Sequence, residues 1–128
     1  IVLLTHGGWG SNLVSSIEMI AGKIECVHEI PLKPAYTLPE YMSMVREYTD
    51  GISADSIIMV DLFGGTPSNV AAAIGNQTGM HVFAGLNAPM LLEACLELQN
   101  TGTLDYDAIL NAGSAACMDV VATVKKNM

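Results

Sequence analysis

Two short apolar runs in this sequence each stop at a polar residue that glycines follow. The first run, residues 1–5, leads into His6 and a turn with the sequence Gly-Gly-Trp-Gly. The second run, residues 56–60, leads into Asp61 and the glycine pair at 64–65. Short apolar runs without strict alternation are typical of strands that are buried on both faces. We therefore predict two central strands, each ending in a glycine-rich turn.

Apolar residues at helical spacing follow each of these turns. Ser11 and Asn12 offer an N-cap for the first helix, and Gly22 marks its end. Pro67, at a first helical position, opens the helix after the second turn. Two more strands are predicted at 26–30 and 81–84, and further helices around 42–49, 87–98, 106–111 and 115–124.

Strands that alternate with helices predict parallel pairing through right-handed crossovers. The expected fold is a doubly wound α/β domain with a mainly parallel sheet in the order 2-1-3-4, helices on both faces, and one domain over residues 1–128. In such folds ligands bind beyond the carboxyl ends of the strands at the switch point, here between the first and third strands. Those two strands end at His6 and Asp61.

Composition narrows the class of protein. The 128 residues are 51% hydrophobic and 14% charged, with a formal net charge of −8. This apolar content excludes disorder, and no apolar run approaches the roughly 20 residues of a membrane span. A surface this acidic makes nucleic acid an unfavourable ligand and favours partners with basic patches. Cys26, Cys95 and Cys117 form no paired motif and are interpreted as small buried hydrophobic residues of a cytoplasmic protein.

His6 and Asp61 are the strongest candidates for chemistry. An imidazole whose Nδ1–H is held by a carboxylate presents Nε2 as a lone pair, which is what a nucleophile or a general base requires. The alternatives are that His6 is a structural residue hydrogen-bonded in its turn and that Asp61 caps a helix or stabilises a turn. His28 and His81 lie within strands without ligand-spaced companions, so no metal site is predicted.

The glycine-rich turns can also expose backbone N–H groups at helix N-termini. Gly64, Gly65 and Thr66 precede one helix and residues 7–11 precede another, which together predict a cradle for an anion such as a phosphoryl group. Simple turn geometry is the alternative explanation. Neither segment matches a nucleotide-binding motif, so no nucleotide and no other cofactor is predicted.

Three segments resemble one bacterial family. Residues 5–7 read Thr-His-Gly, residues 61–69 read Asp-Leu-Phe-Gly-Gly-Thr-Pro-Ser-Asn, and residues 85–91 read Gly-Leu-Asn-Ala-Pro-Met-Leu. In order and spacing they resemble the IIA domain of the mannose/fructose/sorbose family of the phosphoenolpyruvate-dependent sugar phosphotransferase system. The resemblance extends over essentially the whole chain, and the middle motif is the most specific part of it.

The resemblance implies a phosphotransferase with a phosphohistidine intermediate. His6 would be phosphorylated at Nε2, Asp61 would hold its Nδ1 side, and Thr66 with the neighbouring amides would receive the phosphoryl oxygens. Those amides belong to Gly7, Gly64 and Gly65. The phosphoryl group would come from the histidine phosphocarrier protein and pass to a IIB domain, which serves the IIC/IID membrane complex during sugar uptake.

The resemblance further implies a homodimer. Some members of the family exchange a C-terminal strand between subunits, but no clear strand is predicted after Val124 in this sequence. Two other functions stay open on the sequence. One is a regulatory module controlled by phosphorylation, although the chain shows no DNA-binding segment. The other is the phosphocarrier subunit of a dihydroxyacetone kinase, which resembles this chain poorly over residues 61–69. The sugar cannot be read from the sequence, because in the family the IIA domain does not contact it.

Overall fold

A computed structural model describes residues 1–128 and contains one four-stranded sheet in the order β2-β1-β3-β4, with every pair parallel. The strands are β1 (Val2–His6), β2 (His28–Leu32), β3 (Ile57–Val60) and β4 (His81–Ala84). The helices are α1 (Gly10–Ala21), α2 (Leu38–Thr49), α3 (Thr66–Thr78), α4 (Ala88–Thr101), α5 (Tyr106–Ala115) and α6 (Val120–Lys126). The predicted doubly wound α/β fold and its strand order are confirmed.

The sheet is buried on both faces, which explains why its central strands are apolar throughout. Leu3 of β1 points into a cluster formed with α1, α4 and α5, whereas its neighbour Leu4 points into a cluster formed with α2 and α3. All four residues of β3 are fully buried. Because successive side chains of a strand alternate between faces, such double burial requires apolar residues at every position.

Several element boundaries differ from the prediction. Strand β2 begins at His28, two residues later than expected, and the last helix, predicted over 115–124, is observed as α6 over Val120–Lys126, after a break at residues 116–119. Helix α1 begins at Gly10, with Trp9 as an N-cap that makes no side-chain capping bond. The prediction of an N-cap at Ser11 and Asn12 was therefore wrong.

Two of the three cysteines are not the buried residues that the sequence predicted. Cys95 is fully buried, but Cys26 is only half-buried and Cys117 is exposed. Cys26 precedes β2 and Cys117 follows α5, so both lie outside the regular elements, where apolar neighbours in the sequence do not guarantee burial.

No single helix has both the length and the apolar character to cross a membrane. Only α5 and α6 taken as a pair, bent by 100° at their junction, pass by length and composition.

Candidate functional site

The structure brings His6 and Asp61 together at the switch point of the sheet. Strands β1 and β3 pair directly, with Leu4 opposite Val60, so their carboxyl ends lie side by side. The Nδ1 atom of His6 lies 3.1 Å from Oδ1 and 3.0 Å from Oδ2 of Asp61. The backbone N–H of His6 also donates to Oδ2 at 2.8 Å. One carboxylate thus fixes both the main chain and the ring of His6.

Two further donors complete the surroundings of Asp61. The Trp9 indole Nε1–H donates to Oδ2 at 3.2 Å, and the Leu62 backbone N–H donates to Oδ1 at 2.9 Å. Burial opposes ionisation of this carboxyl, but the hydrogen bonds from the backbone and ring of His6 and from Trp9 prevail and lower the pKa of Asp61. Asp61 is therefore an ionised acceptor, and it does not cap α3, whose N-cap is Gly65.

The other ring nitrogen of His6 faces the second glycine-rich turn. The His6 side chain is 45% exposed, whereas that of Asp61 is 6% exposed. A Cβ atom on Gly65 would lie 3.1 Å from Cε1 and 3.4 Å from Nε2 of the His6 ring. With its Nδ1–H donated to Asp61, the neutral ring carries a lone pair on Nε2. That lone pair therefore lies beside the turn before α3.

The start of α3 leaves several backbone N–H groups free. Gly64, Gly65 and Thr66 donate no backbone hydrogen bond to any protein acceptor, and Gly65 makes no side-chain cap. Gly64 has a φ of +89°, a conformation that L side chains rarely adopt, so the turn depends on glycine there. Free amides at a helix N-terminus attract negative charge. The anion cradle predicted for residues 64–66 is thus available next to Nε2.

The start of α1 is different, because several of the amides predicted to bind an anion at residues 7–11 already have acceptors within the protein. The Glu29 carboxylate of β2 accepts the N–H groups of Gly10 and Ser11 at 2.7 and 3.0 Å and the Ser11 hydroxyl at 2.6 Å. The Gly7 N–H donates to the carbonyl of Leu32 at 2.8 Å. The N–H groups of Gly7, Gly10 and Ser11 are therefore not free to bind a phosphoryl group, contrary to the expectation for these three residues, whereas those of Gly8 and Trp9 donate to no protein acceptor.

A cavity of about 480 Å³ opens beside His6. Gly7 and Thr66 form part of its walls. The remaining lining residues run from the end of β2 to the start of α2, and they are Leu32, Lys33, Pro34, Tyr36 and Leu38. Thr66 thus shares this space with the histidine, as its predicted role requires. Glu29 and Lys33 could not be identified from the sequence, because no local motif links either residue to the turn after β1.

The other two histidines lie away from the site. His28 stacks on Tyr48 and His81 stacks on Tyr106, with ring centroids 3.9 and 3.7 Å apart. Phe63, which follows Asp61 closely in sequence, is 91% exposed. No group of three or more metal-ligating side chains is present in the chain.

Comparison with known proteins agrees with this architecture. The family model EIIA-man, described as the fructose IIA component of the PTS, or phosphotransferase system, matches residues 1–110. The chain belongs to this family. The sorbose-specific EIIA component of Lacticaseibacillus casei is 31% identical over 102 residues, and the match covers 78% of this chain and 74% of that protein.

Two further relatives extend the comparison of this IIA component. The mannose-specific EIIAB component of Escherichia coli K12 is 33% identical over 112 residues. That match covers 82% of this chain but 33% of the relative, so the chain spans about a third of its length. The crystal structure of a phosphotransferase system EIIA component from Streptococcus agalactiae superposes with a TM-score of 0.83 at 25% identity, covering 94% of this chain and 96% of that one. The chain is a IIA component of the mannose/fructose/sorbose type.

Proposed function

We propose that His6 is the phosphorylated residue and that this IIA component relays the phosphoryl group from the histidine phosphocarrier protein to a IIB domain. The observation that carries the proposal is the contact of His6 Nδ1 with the ionised carboxylate of Asp61 at 3.0 Å. That contact fixes the tautomer in which Nε2 is the nucleophile. The residues of the proposed site belong to one domain over residues 1–128.

The transfer step needs only the phosphohistidine of the donor protein and residues of this chain. The Nε2 lone pair attacks the phosphorus of the donor phosphohistidine, and a new N–P bond forms as the N–P bond of the donor breaks. The ring of His6 then carries a positive charge, which the buried carboxylate of Asp61 stabilises. No nucleotide or other cofactor takes part, because the reaction needs positioning and charge stabilisation.

The three transferred phosphoryl oxygens need hydrogen-bond donors. We assign this role to the free N–H groups of Gly64, Gly65 and Thr66 and to the hydroxyl of Thr66, a residue that lines the same cavity as His6. Gly65 lies close to the reacting nitrogen because it carries no side chain. Gly7 borders the cavity, but its amide is engaged by Leu32 and supplies no donor.

The partners follow from the family and from charge. The phosphocarrier protein and the IIB domain approach a surface of net charge −8, which accelerates encounter with basic partners. The IIB domain in turn serves the IIC/IID membrane complex, so we place the protein in the cytoplasm, peripheral to that complex. A homodimer is part of the proposal, while the exchange of a C-terminal strand is not.

Substitution of the nucleophile tests the relay. Incubated with phosphorylated phosphocarrier protein carrying a radioactive phosphoryl group, the native chain is expected to become labelled and His6→Ala to remain unlabelled. His28→Gln is the matched control, because that histidine stacks on Tyr48 away from the cavity. A labelled His6→Ala protein would contradict the assignment.

A second incubation separates a relay from a regulatory switch. The labelled chain is mixed with IIB domains of the mannose, fructose and sorbose types. A relay loses its label to at least one of them. Retention of the label on His6 with every IIB domain would favour the regulatory alternative.

A further inference from the structure

Two cysteine sulfur atoms face each other at the opposite end of the sheet from His6. Cys26 lies in the connection between α1 and β2, and Cys95 lies on α4. Their Sγ atoms are 3.9 Å apart, although 69 residues separate them in the chain. A disulfide bond is about 2.05 Å long. Modest rotations of two short side chains can close the remaining gap of about 2 Å.

A second contact already holds these two elements together. The Gln99 side-chain amide of α4 donates to the carbonyl of Lys23 in the same connection, at 3.4 Å. Helix α4 is also anchored in the core, where Cys95 is fully buried among apolar residues. The two sulfur atoms are therefore neighbours in the folded protein without any rearrangement of the backbone.

Small oxidants can reach one of the two sulfurs. Cys26 is half-buried and lines a cavity of about 190 Å³ together with Leu98 and Gln99. A water molecule occupies about 30 Å³ in the liquid, so a molecule the size of hydrogen peroxide fits the cavity. Cys95 has no such access, because it is fully buried.

The two thiols also differ in acidity. The hydrogen bond with Cys95 lowers the pKa of Cys26 to about 6, although burial acts in the other direction. The same hydrogen bond, followed by burial, raises the pKa of Cys95. Cys26 is thus the more acidic of the two thiols, and the thiolate is the form that reacts with peroxides.

We propose that Cys26 and Cys95 form a redox pair that a peroxide converts into an intramolecular disulfide. The Cys26 thiolate attacks one oxygen of hydrogen peroxide, an S–O bond forms, the O–O bond breaks, and hydroxide leaves. The Cys95 sulfur then attacks the Cys26 sulfur, and the thiol proton of Cys95 leaves with the sulfenic hydroxyl group as water. Both sulfurs are oxidised, the peroxide is reduced, and a dithiol reverses the reaction by supplying two electrons and two protons.

The cross-link would act on stability and not on phosphoryl transfer. It joins α4 to the connection before β2, at the end of the sheet where the strands begin. His6 is at the other end of β1, four residues or about 13 Å along the strand from Val2, which pairs with His28 at the start of β2. A bond that closes a long loop restricts the unfolded chain strongly. The oxidised protein is therefore expected to melt at a higher temperature, whether or not His6 carries a phosphoryl group.

The test uses the full chain, reduced and then treated with hydrogen peroxide. Excess peroxide is removed with catalase, free thiols are alkylated in denaturant, and the protein is analysed by non-reducing mass spectrometry. The expected product has lost two hydrogen atoms, carries one alkyl group at Cys117, and yields a peptide pair that joins Cys26 to Cys95.

The substitutions assign each step. Cys117→Ser, at an exposed position, is expected to keep the cross-link, and Cys95→Ala is expected to stop at a Cys26 sulfenic acid that dimedone traps. Cys26→Ser is expected to leave Cys95 reduced. Three alkylated cysteines in the treated native chain, or a product linked through Cys117, would overturn the proposal. The native chain and Cys117→Ser decide this outcome even where a substitution at buried Cys95 impairs folding.

Discussion

The N-termini of α1 and α3 have similar surroundings in the sequence, but they differ in whether their first backbone N–H groups have a hydrogen-bond acceptor within the protein. Each helix follows a buried strand and a glycine-rich turn. The Glu29 carboxylate fills the start of α1, accepting the N–H groups of Gly10 and Ser11. The start of α3 keeps its free amides, beside His6 Nε2. An internal anion thus occupies one helix start, and the other is left for an anion from outside.

The difference shows how the two turns divide the work. In the proposed relay, the nucleophile His6 directly precedes the turn before α1 and needs a rigid main chain, which the contacts of Glu29 with Gly10 and of Asp61 with the His6 N–H provide. The turn before α3 follows the orienting carboxylate and offers donors to a phosphoryl group. A helix start that is already capped stabilises the fold, whereas an uncapped one can bind a ligand.

The largest expected effect after loss of His6 itself is that of Asp61→Asn. An amide cannot accept from the Nδ1–H, the His6 N–H and the indole of Trp9 as the carboxylate does, and it does not stabilise the charged ring. Phosphoryl transfer is expected to slow by roughly 100-fold or more, since loss of an orienting carboxylate has an effect of this order or larger in serine proteases. Rapid-quench transfer from the phosphocarrier protein measures it, and circular dichroism checks the fold. Unchanged kinetics would refute the orienting role.

Gly65→Ala tests whether the start of α3 is the anion site. The added Cβ would lie 3.1 Å from Cε1 of His6, and the backbone φ of −85° accepts alanine without strain. Transfer is expected to fall about 10- to 100-fold, because small displacements at a reacting centre are costly.

Gly51→Ala is the matched control, since its Cβ would meet only the Tyr48 carbonyl at an ordinary distance of 3.7 Å. Both variants are measured for transfer and for melting temperature. If Gly65→Ala transfers as fast as Gly51→Ala, the space beside Nε2 is not where the phosphoryl group sits.

Thr66→Val should have a smaller effect. The substitution keeps the shape of the side chain and removes the hydroxyl of a residue that lines the cavity. Transfer is expected to slow by about fivefold, the value of one neutral hydrogen bond. Thr66→Ser, which keeps the hydroxyl, is expected to transfer at nearly the native rate. Equal rates for the two variants would show that the Thr66 hydroxyl does not contact the phosphoryl group.

Glu29→Gln should have the smallest effect on transfer and a clear one on stability. It weakens the cap of α1, so the free energy of unfolding is expected to drop by about 1 kcal/mol while transfer stays within about twofold. Urea denaturation measures the first and rapid-quench transfer the second. A large loss of transfer would mean that the start of α1 also takes part in the reaction.

The same variant predicts a change in acid stability. Burial opposes ionisation of Glu29, but hydrogen bonds from Ser11, Thr5 and Gly10 prevail and lower its pKa. A carboxyl with a lower pKa in the folded state stabilises the fold fully above its unfolded pKa and loses this effect as pH falls through the folded one. Between pH 6 and pH 3, Glu29→Gln should therefore lose less stability than the native chain does.

Much of the fold and the centre of the site could be predicted because their signals are local. The runs ending at His6 and Asp61 indicate buried parallel strands, and two such strands meet at the switch point whatever covers them. The start of α1 could not be predicted, since the local pattern favoured an N-cap at Ser11 and Asn12, whereas the helix begins after Trp9 and the carboxylate that accepts its first N–H groups belongs to Glu29 of β2. Strand β2 begins two residues later than predicted because its partner β1 begins at Val2, which pairs with His28.

The sequence by itself determined the alternation of strands and helices, the family, and which histidine and carboxylate meet. These follow from short-range patterns of apolar residues, glycine and proline. Only the tertiary structure decided which helix start is capped and which is free, that Trp9 donates to Asp61, and that Cys26 lies against Cys95. The reason is physical: these contacts join residues 19, 52 and 69 positions apart, and only the packing of helices on the sheet brings them together.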